Sequence, residues 1–335
     1  FTHSISMKLA VAFMAKRASF IISVFMALGA FLGLVLCPGA ATEGARSGLA
    51  LCAGVIIPSL FPFMVMGNLF LELSLPQWLG RFTAPITKKL FGVSGAGSAA
   101  FFLGLIGGYP LGAITLADMY SRGLLKKKEA ERLLGFCDNS GPAFIIAVAG
   151  SAVFGSAGIG FFLYTVHILA AVLVGILLRF RKTSFNFSPA PLAKRSFSQA
   201  FTESVKRAAF TSITVCGFVV FFSVMVGLLD SGGVLPAISG RLSAILGVPL
   251  HFTRALLTGL LEIGTGICTM TELLPNAAAL ALCAFVLGWG GLSVHAQAAA
   301  VISEGGLSPA WHLFGKLLHG VLSALITLLV YPIIF

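Results

Sequence analysis

Charge is scarce in this chain, and negative charge is scarcest. Only 10% of its 335 residues are charged, and Asp and Glu together number 11 against 22 Lys and Arg. A soluble globular domain carries about 25% charged side chains, so this composition excludes a surface wetted on all sides. Cysteine is sparse too. The six (Cys37, Cys52, Cys137, Cys216, Cys268, Cys283) lie mostly within apolar stretches and show no close pairing. That argues against a disulfide framework or a zinc site and reads them as small buried hydrophobes. No nucleotide-binding motif or soluble domain is present to drive ATP hydrolysis. No nucleophile–base pair or metal-ligand constellation stands out, so we assign no catalytic residue, metal site or cofactor and expect no enzyme. The short alternation of an outer-membrane barrel is missing as well.

What the chain has is apolar length. It is 58% hydrophobic, with a mean hydropathy of +1.01. Several separate stretches reach the roughly 17–25 residues that cross a bilayer. They continue to the last residue, which a single signal peptide does not explain. The expectation is an all-α polytopic protein of the cell membrane. Its net charge of +11 is concentrated at Lys16 and Arg17, at Lys88 and Lys89, and over 122–132 and 179–207. Short basic loops between spans are the positive-inside bias rather than a nucleic-acid surface, and they favour anionic lipid headgroups.

The layout is read twice. Residues 1–47 supply a first span (18–36), with a cytoplasmic N-terminus, and an outside loop carrying Glu43 and Arg46. A first repeat (48–178) and a second (208–335) flank a basic cytoplasmic linker (179–207). Each repeat reads as span, interrupted hairpin, Gly/Pro-broken helix, span. In the first, Pro58 and Pro62 bend the opening span, followed by a hairpin at 93–120, a broken helix at 131–153 and a span at 161–178. In the second, the hairpin is 252–274, the broken helix 277–298 and the closing span 311–331, which leaves the C-terminus outside.

Segment 93–120 is long enough to cross, yet Lys88 and Lys89 precede it and Arg122, Lys126, Lys127, Lys128 and Arg132 follow. A re-entrant hairpin turning at Gly107-Gly108-Tyr109-Pro110 keeps both basic flanks on one side. Leu75-Pro76-Gln77-Trp78-Leu79-Gly80-Arg81 matches Leu235-Pro236-Ala237-Ile238-Ser239-Gly240-Arg241. Gly104-Leu105-Ile106 matches Gly259-Leu260-Leu261 before each hairpin tip. An odd number of crossings separates the equivalents, so the repeats are inverted. Inverted repeats with paired broken helices place a solute site where the interruptions meet.

Polar groups within such segments cost several kcal/mol unless paired or wetted, which singles out few positions. Glu262, with Gly264, Thr265 and Gly266, marks the second hairpin tip. Asp138, Asn139, Ser140 and Gly141 mark the first broken helix, ahead of Pro142. Gly107, Gly108, Tyr109 and Pro110 shape the first tip, and Trp289, Gly291 and Ser293 follow the second break. These are the candidate solute-binding residues. Glu262, Asp138, Asn139 and Thr265 are also candidates for a coupling ion, Na⁺ or H⁺, with uncoupled diffusion the other option. His167, His295, Gln297 and His319 rank lower, and Asp118 is expected to meet the basic loop.

The runs Gly107-Gly108-Tyr109-Pro110-Leu111-Gly112-Ala113 and Phe136-Cys137-Asp138-Asn139-Ser140-Gly141-Pro142 resemble the YlbJ-like sporulation integral membrane proteins. These form part of a wider group with a nucleoside-recognition or gate domain. Gly259-Leu260-Leu261-Glu262-Ile263-Gly264-Thr265-Gly266 resembles the signature of their second half, so the resemblance spans 48–331. It implies a fold similar to concentrative nucleoside transporters. In spore-forming bacteria it also implies movement of dipicolinate, a small aromatic dicarboxylate, from mother cell toward forespore. Asp138 stands where the Cys-Asn-rich form of the motif has an uncharged residue, and an extra carboxylate disfavours a dianion unless it is protonated or paired. The expected function is alternating-access transport of a small polar or anionic organic solute, dipicolinate and nucleosides being the implied classes. The alternative is a membrane scaffold or assembly factor. The partners are the solute and membrane lipid; a homo-oligomer is compatible, but no soluble interface is legible.

Overall fold

The computed structural model describes residues 17, 21, 23–73, 75–180 and 196–335. Among them every regular element is helical. The expected first span lies partly outside the described residues; its described part is α1 (Ser23–Leu36). The next helix starts earlier than expected. α2 (Pro38–Leu51) begins at Pro38, whose missing N–H is harmless in a first turn. Glu43 and Arg46, read as an outside loop, therefore sit on a helix, 4.0 Å apart and exposed. A π-helical turn (Cys52–Ile56) joins α2 to α3 (Ile57–Glu72), and the Ile57 amide donates to the Cys52 carbonyl across it. The wider turn makes room for the ring of Pro58, and 38–72 runs as one apolar span through both prolines at which a bend is expected.

Two stretches read as loops form amphipathic helices, α4 (Leu75–Phe91) and α10 (Val234–Leu246). α4 leaves Trp78, Phe82, Ile86 and Leu90 exposed at four-residue spacing, an apolar stripe on one face. It meets the next helix at 91°. α10 starts after Gly233 (φ 74°) and exposes Val234 and Ile238 on one side. The linker expected at 179–207 lies outside the described residues over 181–195. Its end is helical: α9 (Phe197–Ser231) begins at a capping box in which Gln199 N donates to Ser196 Oγ and Ser196 N to Gln199 Oε1, each at 3.4 Å. The second opening span thus starts before 208.

The interruptions fall where the glycines and prolines place them. α5 (Gly95–Gly107) and α6 (Leu111–Ser121) fold back at Gly108-Tyr109-Pro110. Gly104 and Gly112 face one another, and a Cβ on either would strike the Cys137 carbonyl. That carbonyl ends α7 (Lys127–Cys137); the chain is non-helical until Pro142 and resumes as a π-helical segment (Ala143–Val153), then α8 (Ala157–Leu177). In the second half α11 (Leu250–Leu261) and α12 (Ile263–Cys268) are separated by Glu262 in extended conformation, and Gly266 folds against Gly259. α13 (Ala277–Trp289) stops at Gly290 (φ 88°) before α14 (Gly291–Glu304). The closing helix α15 (Ala310–Ile334) meets α7 at Gly135 and Gly315, and α13 at Gly288 and Gly320. Small residues allow this backbone approach in membrane helices. Five described helical stretches are long and apolar enough to cross a membrane, six if the bent α4–α5 pair is one.

Candidate functional site

Both hairpin tips and both broken helices border one cleft, with about 460 Å³ of empty space, part of it continuous with the outside. Its apolar walls are Ile56, Leu60 and Phe144, with Val215 and Val219 from α9 and Val294 from α14. Its polar groups are Tyr109 at the first tip, Ser140 at the first break, Glu262 at the second tip and Gln297 on α14. Gly141, Ile263 and Gly264 contribute backbone.

Glu262 is fully buried and caps α12. Thr265 N donates to its Oε2 at 2.6 Å, and Ser293 Oγ on α14 donates to Oε1 at 3.3 Å. A buried carboxylate is tolerated when its oxygens are engaged in this way. The Ser293 bond ties the second tip to the second broken helix, while the Thr265 bond closes the tip on itself.

Behind Tyr109 lies a second polar centre. Asp138 is completely buried; Ala113 N donates to Oδ1 at 3.2 Å and His312 Nε2 to Oδ2 at 2.9 Å. His312 Nδ1 is in turn 3.4 Å from His295 Nδ1. The Lys316 ammonium, also fully buried, donates to the Asp138 carbonyl, to Asn139 Oδ1 (3.3 Å), to His319 Nδ1 (3.1 Å) and more distantly to the Tyr109 hydroxyl (3.5 Å). His319 Nε2 completes the chain on the His167 carbonyl at 3.0 Å, and the His167 Nε2 accepts from Ser140 N at 3.1 Å. The Tyr109 hydroxyl reaches the carbonyls of Leu287 and Gly288 at 3.2 and 3.3 Å. One connected network therefore joins the first hairpin, the first break, α8, α13 and α15.

Of the residues singled out from sequence, Tyr109, Ser140, Gly141, Glu262 and Gly264 line the cleft. Gly107, Gly108 and Pro110 shape the tip, and Gly108 (φ 77°) packs on Gly141, with a built Cβ 3.1 Å from its nitrogen. Asp138 and Asn139 lie in the network behind. Ser293 holds Glu262, and Thr265 Oγ1 is 3.3 Å from Ser223 Oγ. Gly266 packs on Gly259 and Gly291 beneath Ile263. Trp289 lies outside the cleft; its ring N–H donates to the Leu260 carbonyl at 3.3 Å and its ring packs on His295. Asp118 pairs with Arg122 at 2.8 Å, in the loop where it was expected to find a cation. Sequence reasoning missed Lys316 and His312. The signal was there: His312, Lys316, His319, Ser323 and Thr327 share one face of a helix otherwise apolar.

Paired interrupted hairpins closing on paired broken helices, in a chain of apolar spans, define a polytopic all-α integral membrane protein with a transporter-type fold. No family model matches the chain. It is 28% identical over 322 residues to the sporulation integral membrane protein YlbJ of Bacillus subtilis (strain 168), covering 88% of this chain and 78% of that protein. Its fold is shared with structures of the concentrative nucleoside transporter CNTnw. A variant in an outward-facing state matches with a TM-score of 0.54 at 15% identity, over 96% of this chain and 86% of that one. The inward-facing substrate-bound state matches with 0.51 at 15% identity, over 94% and 86%.

Proposed function

We propose that the protein is a secondary transporter moving a small polar or anionic organic solute across the cell membrane by alternating access. The observation that carries this reading is the cleft itself. Polar groups from both hairpin tips and both broken helices converge there within apolar walls, a mix suited to a compact solute with one flat apolar face and a hydrogen-bonding edge. Tyr109, Ser140, Glu262 and Gln297 are its recognition groups, and the hairpins gate it from opposite sides. The N-terminus faces the cytoplasm and the C-terminus the outside, following the basic loops. Asp138, the carboxylate that stands against an anionic solute in the sequence, is engaged by His312 and Ala113 and does not line the cleft. An aromatic carboxylate thus stays in the solute class beside nucleosides, and the relative's sporulation role makes dipicolinate a first probe.

The test is uptake into proteoliposomes across nucleosides and small carboxylates, dipicolinate included, for wild type and Glu262→Gln. We expect saturable flux of one class, lost in the variant while its melting transition is retained. Correctly oriented, folded protein without flux for any of these solutes would overturn this solute class and favour a membrane scaffold.

A further inference from the structure

Broken helices expose backbone carbonyls, and with neighbouring side-chain oxygens these form the donor set a small monovalent cation takes. The candidate positions for such an ion here are already filled. We propose that the Lys316 ammonium is a tethered cation, resident where a coupling Na⁺ would bind, so that transport through this cleft proceeds without Na⁺. The inference rests on the transporter reading above.

At the first tip and break the Asp138 carbonyl, Asn139 Oδ1 and the Tyr109 hydroxyl cluster as oxygens of this kind. All three face Lys316 Nζ, and His319 Nδ1 provides a further acceptor at 3.1 Å. An ammonium has three N–H groups and no acceptor; the Asp138 carbonyl, Asn139 and His319 satisfy all three. The Lys316 side chain has no exposure, and its helix is pinned on either side of it, by Gly315 on Gly135 and Gly320 on Gly288. The cation is therefore fixed against the first tip and the first break. Its counter-charge is the neighbouring Asp138, whose carboxylate is itself held by His312 and Ala113.

The other candidate pair fits Na⁺ no better. Both Glu262 oxygens already accept hydrogen bonds, from Thr265 N and Ser293 Oγ, and the Thr265 hydroxyl is matched with Ser223. A fixed ammonium is not released with the solute, so it organises the site in every cycle without an ion gradient.

The experiment is a thermal melt of purified protein in NaCl against choline chloride at constant ionic strength, for wild type and Lys316→Ala, run beside uptake. We expect wild type to melt and to transport alike in both salts. We expect Lys316→Ala to melt lower in choline and to recover at least half of that loss at saturating Na⁺. A saturable rise of wild-type melting temperature or uptake with Na⁺ overturns the proposal, whether or not the variant folds. A folded Lys316→Ala that is indifferent to Na⁺ also overturns it, because a purely structural lysine behaves so. The melts need no flux; absence of flux in every salt, with the expected melting pattern, counts against transport and leaves the tethered cation standing.

Discussion

Asp138 and Asp230 are both carboxylates paired with a basic side chain, and their surroundings set very different consequences for losing the partner. Removing His312 leaves the fully buried Asp138 with one remaining bond from Ala113. We expect His312→Ala to cost about 3–5 kcal/mol in mixed-micelle unfolding, and His312→Gln, which retains a donor, to recover part of it. Arg254 and Asp230 are 2.7 Å apart but 49% and 36% exposed, so Arg254→Ala should change stability by less than about 1 kcal/mol in the same assay. Glu262 and Asp138 were legible because an acid near glycine in an apolar stretch must be paired or capping, and both are. Lys316 was not, because cations in this chain read first as loop markers, and its stripe with His312 and His319 emerges only when α15 is laid out as a helix.

At the level of elements, the glycines differ in what a side chain there would meet: backbone, neighbouring side chains or open space. A Cβ on Gly112 lands on the end of α7, 2.6 Å from Asp138 Cα, whereas one on Gly240 meets nothing within 4 Å. Gly112→Ala should abolish a monodisperse folded species in size-exclusion chromatography. Gly240→Ala, in the middle of α10, should raise stability by up to about 1 kcal/mol through helix propensity. The first hairpin makes a further prediction: with native cysteines replaced, Arg81→Cys and Lys127→Cys should react with a membrane-impermeant thiol reagent from the same side. Labelling from opposite sides would make 93–120 a crossing. The helix breaks were legible in Gly107–Pro110, Gly141-Pro142 and Gly290-Gly291. α4 and α10 were not, since helices this short escape a search for apolar length. Their matched Leu-Pro and Gly-Arg positions were the sequence sign that the two stretches are alike, and both fold as helices.

Over the whole molecule, the long spans 38–72 and α9 lie against each other through Gly44 and Gly48, which sit on the backbone of Val224 and Val220. The outer leg of the first hairpin is tied to this pair by charge. Arg122 is 2.8 Å from Glu72 on α3 and from Asp118 on α6, and Arg207 on α9 is 3.8 Å from both acids. If the hairpin moves against the long spans during transport, bridging Asp118→Cys to Arg207→Cys with a short thiol cross-linker should stop uptake while leaving the melt unchanged. Continued uptake would mean that α6 and α9 travel as one body. A sequence shows which segments cross and which are basic; it does not show which of two packed bodies carries a given charge, so this cluster emerges only from the fold.

The backbone-to-backbone crossings of Gly135 on Gly315, Gly288 on Gly320 and Gly259 on Gly266 have one more consequence, for rates. Leu178 beside Gly135, Val286 beside Gly259 and Phe285 beside Gly320 close around these contacts, so the helices are seated on one another rather than free to slide. The temperature dependence of exchange between states should then report the side chains repacked over these glycines together with the hydrogen bonds broken around Tyr109 and Glu262. A Cβ at Gly315 or Gly266 lands on backbone as one at Gly112 does, so Gly315→Ala and Gly266→Ala should likewise lose the folded species.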